Sequence, residues 1–156
     1  MPVVAVLVGL QASGKTTFCR RMLGGYVQVS KDRFRNARHR QARQLRLVAE
    51  AVAAGQDVAV DNTNPSPGEW QPLIEQARLG GARVVAYWFP PDLSGSLRRN
   101  AARAGRSRVP DAGVRATMAR LRQPGLADGF DAVLTVRADG AGGFRVEPCG
   151  EAPGAG

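Results

Sequence analysis

The segment GLQASGKT, residues 9–16, carries the residue types of a loop that binds nucleotide phosphates. The fixed positions of the pattern G-x-x-x-x-G-K-[ST] are filled by Gly9, Gly14, Lys15 and Thr16. Glycines let backbone N–H groups turn towards the phosphates, Lys15 neutralises phosphate charge, and Thr16 offers its hydroxyl to Mg²⁺. We therefore expect nucleotide contacts from Gly9, Ser13, Gly14, Lys15, Thr16 and Thr17.

A single carboxylate follows the second apolar segment, in the run VQVSKDRFR at residues 27–35. Asp32 comes just past a predicted strand, at the sheet edge where open α/β proteins bind ligands. There it can accept the proton of an attacking hydroxyl, while Arg35, about one turn later, can hold a phosphate of the acceptor. Capping of the following helix is the alternative for Asp32, and position alone favours neither role.

A second acidic residue ends another apolar segment, in the run VAVDNTNP at residues 58–65. Asp61 occupies a strand end, where a carboxylate helps to hold Mg²⁺ directly or through water. Asn62 and Asn64 follow on the same edge and are predicted to contact the acceptor or a phosphate. The alternative for both asparagines is turn chemistry, which Asn favours and Pro65 would enforce.

Arginines are concentrated in the segment SLRRNAARAGRSRVPD, residues 96–111, which has no acidic residue before its last position. Arg99 and Arg103 are four residues apart, so we expect both on one face of a helix. Two guanidinium groups over the phosphates would stabilise the charge of a phosphoryl-transfer transition state. A solvated basic face is the alternative. The pattern assigns no role to Arg98, Arg106 and Arg108.

The elements that must position these residues alternate between strands and helices. Strands are predicted at 2–8, 26–30, 57–61, 82–89 and 131–137, and a short terminal hairpin at 138–147. Helices are predicted at 15–23, at 38–54, from a capping box at Ser66 and Glu69 onwards, at 92–104 and at 111–122. This alternation predicts an α/β fold with a mostly parallel, five-stranded central sheet flanked by helices, and with the arginine-rich segment as a helical lid.

The composition indicates one domain with a basic surface. The chain has 156 residues and a formal charge of +9, which points to anionic partners or to a compositional preference for arginine.

Two cysteines and one histidine lack the spacing of a disulfide framework or a zinc site. Without an apolar run of membrane-spanning length or a secretory signal, a cytoplasmic protein is expected. We expect one domain over 1–149 and a disordered tail at 150–156.

In order, the segments GLQASGKT, VSKDRFR, VDNTNP and RNAARAGRSRVP resemble the polynucleotide 5′-kinases, above all the kinase domain of the bifunctional polynucleotide kinase 3′-phosphatases. The similarity extends to GFDAVLTV at residues 129–136. The resemblance implies a P-loop NTPase fold of the kinase type, and Mg²⁺-dependent transfer of the γ-phosphate of ATP to the 5′-hydroxyl end of DNA or RNA.

The resemblance also implies roles for individual residues. Asp32 would be the general base, Arg35 would contact the phosphate of the acceptor, and Arg99 and Arg103 would be lid arginines. The bifunctional enzymes also carry a phosphatase motif of the type D-x-D-x-[TV], which this sequence lacks. We therefore expect no 3′-phosphatase activity.

Other classes of protein share the phosphate-binding loop. A P-loop kinase for a sugar, an antibiotic or another metabolite remains the main alternative, because a fold does not determine its acceptor. Arg40, Arg43 and Arg46 lie in an arginine-rich segment and are spaced to follow a phosphate backbone, which favours the polynucleotide acceptor. A GTP-dependent switch is disfavoured because no N-K-x-D element occurs. The sequence predicts no oligomeric state.

Overall fold

The most apolar segment of the chain forms the central strand of the sheet. A computed structural model describes residues 1–34 and 38–149, with the backbone alone at 33, 34 and 106. Arg35 and the predicted disordered tail at 150–156 lie outside the described residues. The strands are β1 (Val3–Val8), β2 (Val27–Val29), β3 (Val58–Val60), β4 (Arg83–Trp88), β5 (Ala132–Ala138) and β6 (Phe144–Pro148). The helices are α1 (Lys15–Met22), α2 (Arg40–Ala53), α3 (Pro67–Leu79), α4 (Leu93–Ala101) and α5 (Asp111–Arg120).

Within the described ranges, the six strands form one sheet in the order β2-β3-β1-β4-β5-β6. Strands β1 to β5 run parallel, and β6 returns antiparallel to β5. Val4 of β1 pairs with Val58 of β3 on one side and with Val84 of β4 on the other. The predicted α/β class with a mostly parallel sheet flanked by helices is confirmed. All five predicted strands are present, and the terminal hairpin adds a sixth.

Helices cover both faces of the sheet because β1 and β3 are apolar throughout. Val4 to Val8 are completely buried, as expected for a strand at the centre of a parallel sheet. One face packs against α2 and α3, which contribute Val48 and Trp70 to the core. The other face packs against Phe18 of α1, whose ring meets the ring of Phe144 in β6 edge-on at 5.3 Å.

The helix that begins after Ser66 differs from the prediction in its cap. Ser66 is the N-cap residue, with Pro67 next, but the Ser66 hydroxyl donates a 2.5 Å hydrogen bond to the carboxylate of Glu69. In a capping box that hydroxyl would instead accept from the backbone N–H. The guanidinium of Arg120 also binds Glu69, so the carboxylate acts here as an acceptor between two side-chain donors.

The arginine-rich helix α4 ends at Ala101, three residues earlier than predicted. Asn100 is fully buried, and its amide donates to the carbonyl of Val109 and accepts from the N–H of Val109. This pairing turns the chain back at the end of α4 and separates the helix from the residues that follow. In the described residues, no helix is both long enough and apolar enough to cross a membrane.

Candidate active site

The phosphate-binding loop connects β1 to α1. Gly14 immediately precedes α1 and has a φ of +94°, a backbone conformation that favours glycine. Lys15 is the first residue of α1, and its buried ammonium donates to the carbonyl oxygens of Gly9 at 3.0 Å and Leu10 at 2.6 Å. The hydroxyl of Ser13 lies 3.3 Å from the same nitrogen. The loop thus surrounds the ammonium at the helix N-terminus, where phosphates are favoured.

Burial changes the proton affinity of this lysine. It lowers the pKa of Lys15 from 10.5 to about 8, because the charged ammonium is removed from water. The positive charge of Arg103 acts in the same direction, while the carboxylates of Asp61 and Asp32 oppose it. These three charged side chains line the same cleft as Lys15.

The predicted metal ligands lie in contact at the mouth of the loop. The hydroxyl of Thr16 donates a 2.8 Å hydrogen bond to Oδ2 of Asp61, which also accepts from the side chain of Gln28 at 3.2 Å. Mg²⁺ prefers such hard oxygen ligands and is often held by one or two protein groups together with substrate phosphates. In the described part of the chain, no cluster of three or more His, Cys, Asp or Glu side chains has metal-binding geometry. Thr16 and Asp61 therefore fit Mg²⁺ bound together with a nucleotide.

Asp32 lines the same cleft as the phosphate-binding loop. It belongs to a short 3₁₀ helix, Lys31–Phe34, that follows β2 after one residue. Its backbone N–H donates to the hydroxyl of Ser30 at 3.3 Å, and its side chain is exposed at the cleft wall. Among the described residues, none donates a hydrogen bond to this carboxylate. The role of Asp32 as a general base stays a prediction.

The two predicted asparagines occupy different places. Asn62 lines the cleft, and its Oδ1 accepts a 2.9 Å hydrogen bond from the N–H of Lys31. Asn64 is only 2% exposed and lies outside the cleft. Its amide donates to the carbonyl of Leu7 at 2.7 Å, and its own carbonyl accepts from the indole of Trp70 at 2.6 Å. Asn64 thus joins β1 to α3, away from the cleft where its predicted substrate contact would be made.

The two predicted lid arginines do not share a helix face, because α4 ends before Arg103. Arg99 turns towards the phosphate-binding loop, and its Nε donates a 2.6 Å hydrogen bond to the carbonyl of Ala12. Arg103 lines the cleft, where its only hydrogen bond to a described residue is a 3.4 Å contact with the carbonyl of Ser107. Arg98 and Arg108 are exposed and do not line the cleft. The side chain of Arg106 is not among the described parts of the chain.

One cleft of about 750 Å³ joins the phosphate-binding loop to Asp32, Asp61 and Arg103. It also includes Arg20 and Lys31, to which the sequence pattern gave no role, and Arg40, which was predicted to follow a phosphate backbone. These three cations line the cleft together with Lys15 and Arg103. Arg20 follows Thr16 by four residues, so helical spacing alone could have placed both on one face of α1. The side chain of Gln44 accepts a hydrogen bond from Asn62 in the cleft wall. The sequence could not predict this contact, because it joins two distant segments.

The fold and the loop together define a P-loop protein of the kinase type, with a mostly parallel sheet and a nucleotide-phosphate site at its carboxyl edge. Residues 4–124 match the family model described as AAA domain, and the chain belongs to this family.

Several solved structures share the fold at low sequence identity. A sugar kinase from Janibacter sp. HTCC2649 superposes with a TM-score of 0.65 and 17% identity, covering 86% of each chain. A gluconokinase from Sinorhizobium meliloti 1021 gives a TM-score of 0.59 and 20% identity over 86% of this chain and 82% of that chain. A fungal RNA kinase gives 0.66 and 17% identity over 87% of this chain but only 38% of that chain. This similarity includes both small-molecule and RNA kinases.

Proposed function

We propose that the protein transfers the γ-phosphate of ATP to the 5′-hydroxyl end of a polynucleotide. The observation that carries this proposal is the shared cleft, which is lined by Asp32, by Lys15 and by the hydrogen-bonded pair Thr16 and Asp61. These groups are the two halves of a phosphoryl-transfer site: one for the donor phosphates, and one for the proton of the acceptor hydroxyl.

In the proposed reaction, Asp32 takes the proton of the acceptor hydroxyl as its oxygen attacks the γ-phosphorus. The bond between the γ-phosphorus and the bridging oxygen breaks, and the electron pair leaves with ADP. Lys15 and Arg103 stabilise negative charge on the phosphates during this transfer. Thr16 and Asp61 would hold Mg²⁺, which would supply further charge neutralisation on the phosphates.

The charge of the cleft supports an anionic acceptor. Among the described residues, five cationic side chains line it against two carboxylates. Because Mg²⁺ offsets part of the charge of a triphosphate, this cationic excess is larger than the nucleotide alone requires. A polynucleotide end carries a phosphate next to its terminal nucleoside and fits this excess. Arg35, which lies outside the described residues, remains a predicted contact for that phosphate.

A small-molecule hydroxyl is the second candidate acceptor. The observation that favours it is size: the sugar kinase and the gluconokinase align over more than four fifths of both chains, whereas this chain spans 38% of the RNA kinase. The cationic cleft would then favour an anionic sugar acid over a neutral sugar.

The test is an acceptor panel with ATP labelled at the γ-phosphate. We expect label on a 5′-hydroxyl oligonucleotide, none on the same oligonucleotide with a 5′-phosphate, and transfer that weakens steeply as salt rises. The 5′-phosphorylated oligonucleotide is the matched control because it differs only at the reacting end. Label on gluconate or a neutral sugar, with none on either oligonucleotide, would replace the polynucleotide proposal with the second candidate.

A further inference from the structure

We propose that helix α2 holds the backbone of Lys31 at both its N–H and its carbonyl oxygen and thereby positions Asp32. Gln44 and Arg40 of α2 are then positioning residues, and Asn62 connects Gln44 to the chain beside Asp32. The inference rests on the proposed function, because it takes Asp32 as the group that accepts the proton.

The first connection runs through two amide side chains. Gln44 is 1% exposed, and its Oε1 accepts a 2.7 Å hydrogen bond from Nδ2 of Asn62. The other end of the same amide, Oδ1, accepts from the N–H of Lys31 at 2.9 Å. A flip of the Asn62 amide would bring two acceptors together at one end and two donors together at the other. The N–H of Lys31 can only donate and therefore faces Oδ1 of Asn62, while Gln44 holds the opposite end of the same amide.

The second connection comes from the first residue of α2. Nη2 of Arg40 donates a 2.6 Å hydrogen bond to the carbonyl oxygen of Lys31. Arg40 and Gln44 are four residues apart and so share one face of the helix. Lys31 is thus held at its N–H through Asn62 and at its carbonyl by Arg40, and Asp32 is the next residue.

The helix that makes both connections is fixed to the core. Val48 and Val52 follow Gln44 at intervals of four residues, and both are buried in the cluster on that face of the sheet. Asp32 itself lies exposed on a short 3₁₀ helix. A general base must lie within hydrogen-bonding distance of the proton it takes, and a misplacement of about 1 Å can cost roughly a hundredfold in rate. A helix anchored in the core by its buried face therefore supplies the precision that the exposed turn lacks.

The kinetic test is Gln44→Met, which keeps the length of the side chain and removes the acceptor for Asn62. We expect kcat to fall roughly tenfold to a hundredfold, with KM and Kd for ATP unchanged within about twofold. Gln44→Glu restores an acceptor oxygen and should recover most of kcat. Gln76→Met, on α3 and outside the cleft lining, is the matched control and should behave like the wild type.

A second measurement needs no acceptor. Residue-resolved amide exchange by NMR should be about tenfold faster at Lys31 in Gln44→Met, with the amides of Gly14 and Lys15 unchanged. Unchanged exchange at Lys31, or a fall in kcat that is matched by an equal loss of ATP affinity, would overturn the proposal. If the wild type phosphorylates no acceptor, the proposed function fails, while the exchange rates still decide whether α2 holds Lys31.

Discussion

The hydroxyl of Thr16 and the carboxylate of Asp61 are joined by a 2.8 Å hydrogen bond, which connects the first turn of α1 to the end of β3. This contact brings together side-chain oxygens from two residues that are 45 positions apart in the sequence, beside the phosphate-binding loop. This contact has a direct consequence for metal dependence.

Asp61→Asn keeps the size of the side chain and an acceptor for Thr16 but removes the negative charge. Because Mg²⁺ binds carboxylate oxygen more strongly than amide oxygen, we expect a higher Mg²⁺ requirement and a fall in kcat of roughly a hundredfold or more. The measurement is the rate of transfer across a Mg²⁺ titration. Asp111→Asn, at the exposed start of α5, is the control, and equal Mg²⁺ dependence of Asp61→Asn and wild type would contradict the metal assignment.

The lowered pKa of Lys15 predicts how nucleotide affinity depends on pH. Phosphates need the charged ammonium, but in the free protein the pKa is about 8 because of burial. Above pH 8 the free lysine loses its proton, and binding must recover it, so ATP affinity should fall by up to about tenfold per pH unit. Calorimetric titration between pH 7 and pH 9.5 measures this fall.

Lys15→Arg provides the control for this pH dependence. Arginine keeps its charge throughout that range, so the variant should bind ATP with no decline of this kind, whatever its absolute affinity. The free energy of unfolding should change with pH in the opposite sense to the ATP affinity. The unfolded chain binds more protons at Lys15 above pH 8, so the free energy of unfolding contributed by this group rises with pH. Equal pH slopes of ATP affinity for both proteins would exclude Lys15 as the titrating group.

Replacing Arg99 should mainly change ATP binding, whereas replacing Arg103 should mainly change kcat. Arg99→Met removes the hydrogen bond to Ala12 in the loop, so we expect weaker ATP binding and a smaller change in kcat. Arg103→Met removes a cation from the cleft wall, and we expect kcat to fall by roughly a thousandfold if this guanidinium stabilises the transferring phosphate. Steady-state kinetics with varied ATP separate the two effects. Arg98→Met is the control, and similar kcat losses for Arg99→Met and Arg103→Met would argue against the distinction.

Gly9 is required by close packing as well as by phosphate binding. A Cβ atom at this position would lie 2.8 Å from Cβ of Phe89. Gly9→Ala should therefore lower the free energy of unfolding by about 1–3 kcal/mol, measured by urea denaturation without nucleotide. Gly25→Ala is the matched control, because a Cβ there meets nothing within 4 Å, and it should change stability by less than about 0.5 kcal/mol. Equal effects would show that the contact with Phe89 is tolerated.

Much of the fold was predictable because its signals are local. The five parallel strands are short apolar runs, and the loop at Gly14 carries its own glycine and lysine pattern. The carboxyl ends of parallel strands meet at one edge of the sheet. The sequence therefore predicted that Asp32 and Asp61 would approach the loop, and both line its cleft.

The errors concern contacts between segments that are distant in the chain. Helical spacing predicted Arg99 and Arg103 on one face, but the side chain of Asn100 pairs with Val109 and the helix ends between them. Asn64 follows a strand end like a binding residue, yet its amide completes the backbone hydrogen bonding beneath the loop. Spacing along one segment carries no information on such tertiary partners.

The central claim is that Asp32 and the phosphate-binding loop form one transferase site. The most direct test compares the wild type with Asp32→Asn at saturating ATP, measuring both phosphoryl transfer to a 5′-hydroxyl oligonucleotide and the Kd for ATP. We predict a fall in transfer of about a hundredfold or more, with Kd unchanged within about twofold, because the variant keeps the size of the side chain but loses the carboxylate that accepts the proton. Transfer by Asp32→Asn at a rate close to that of the wild type would contradict the account.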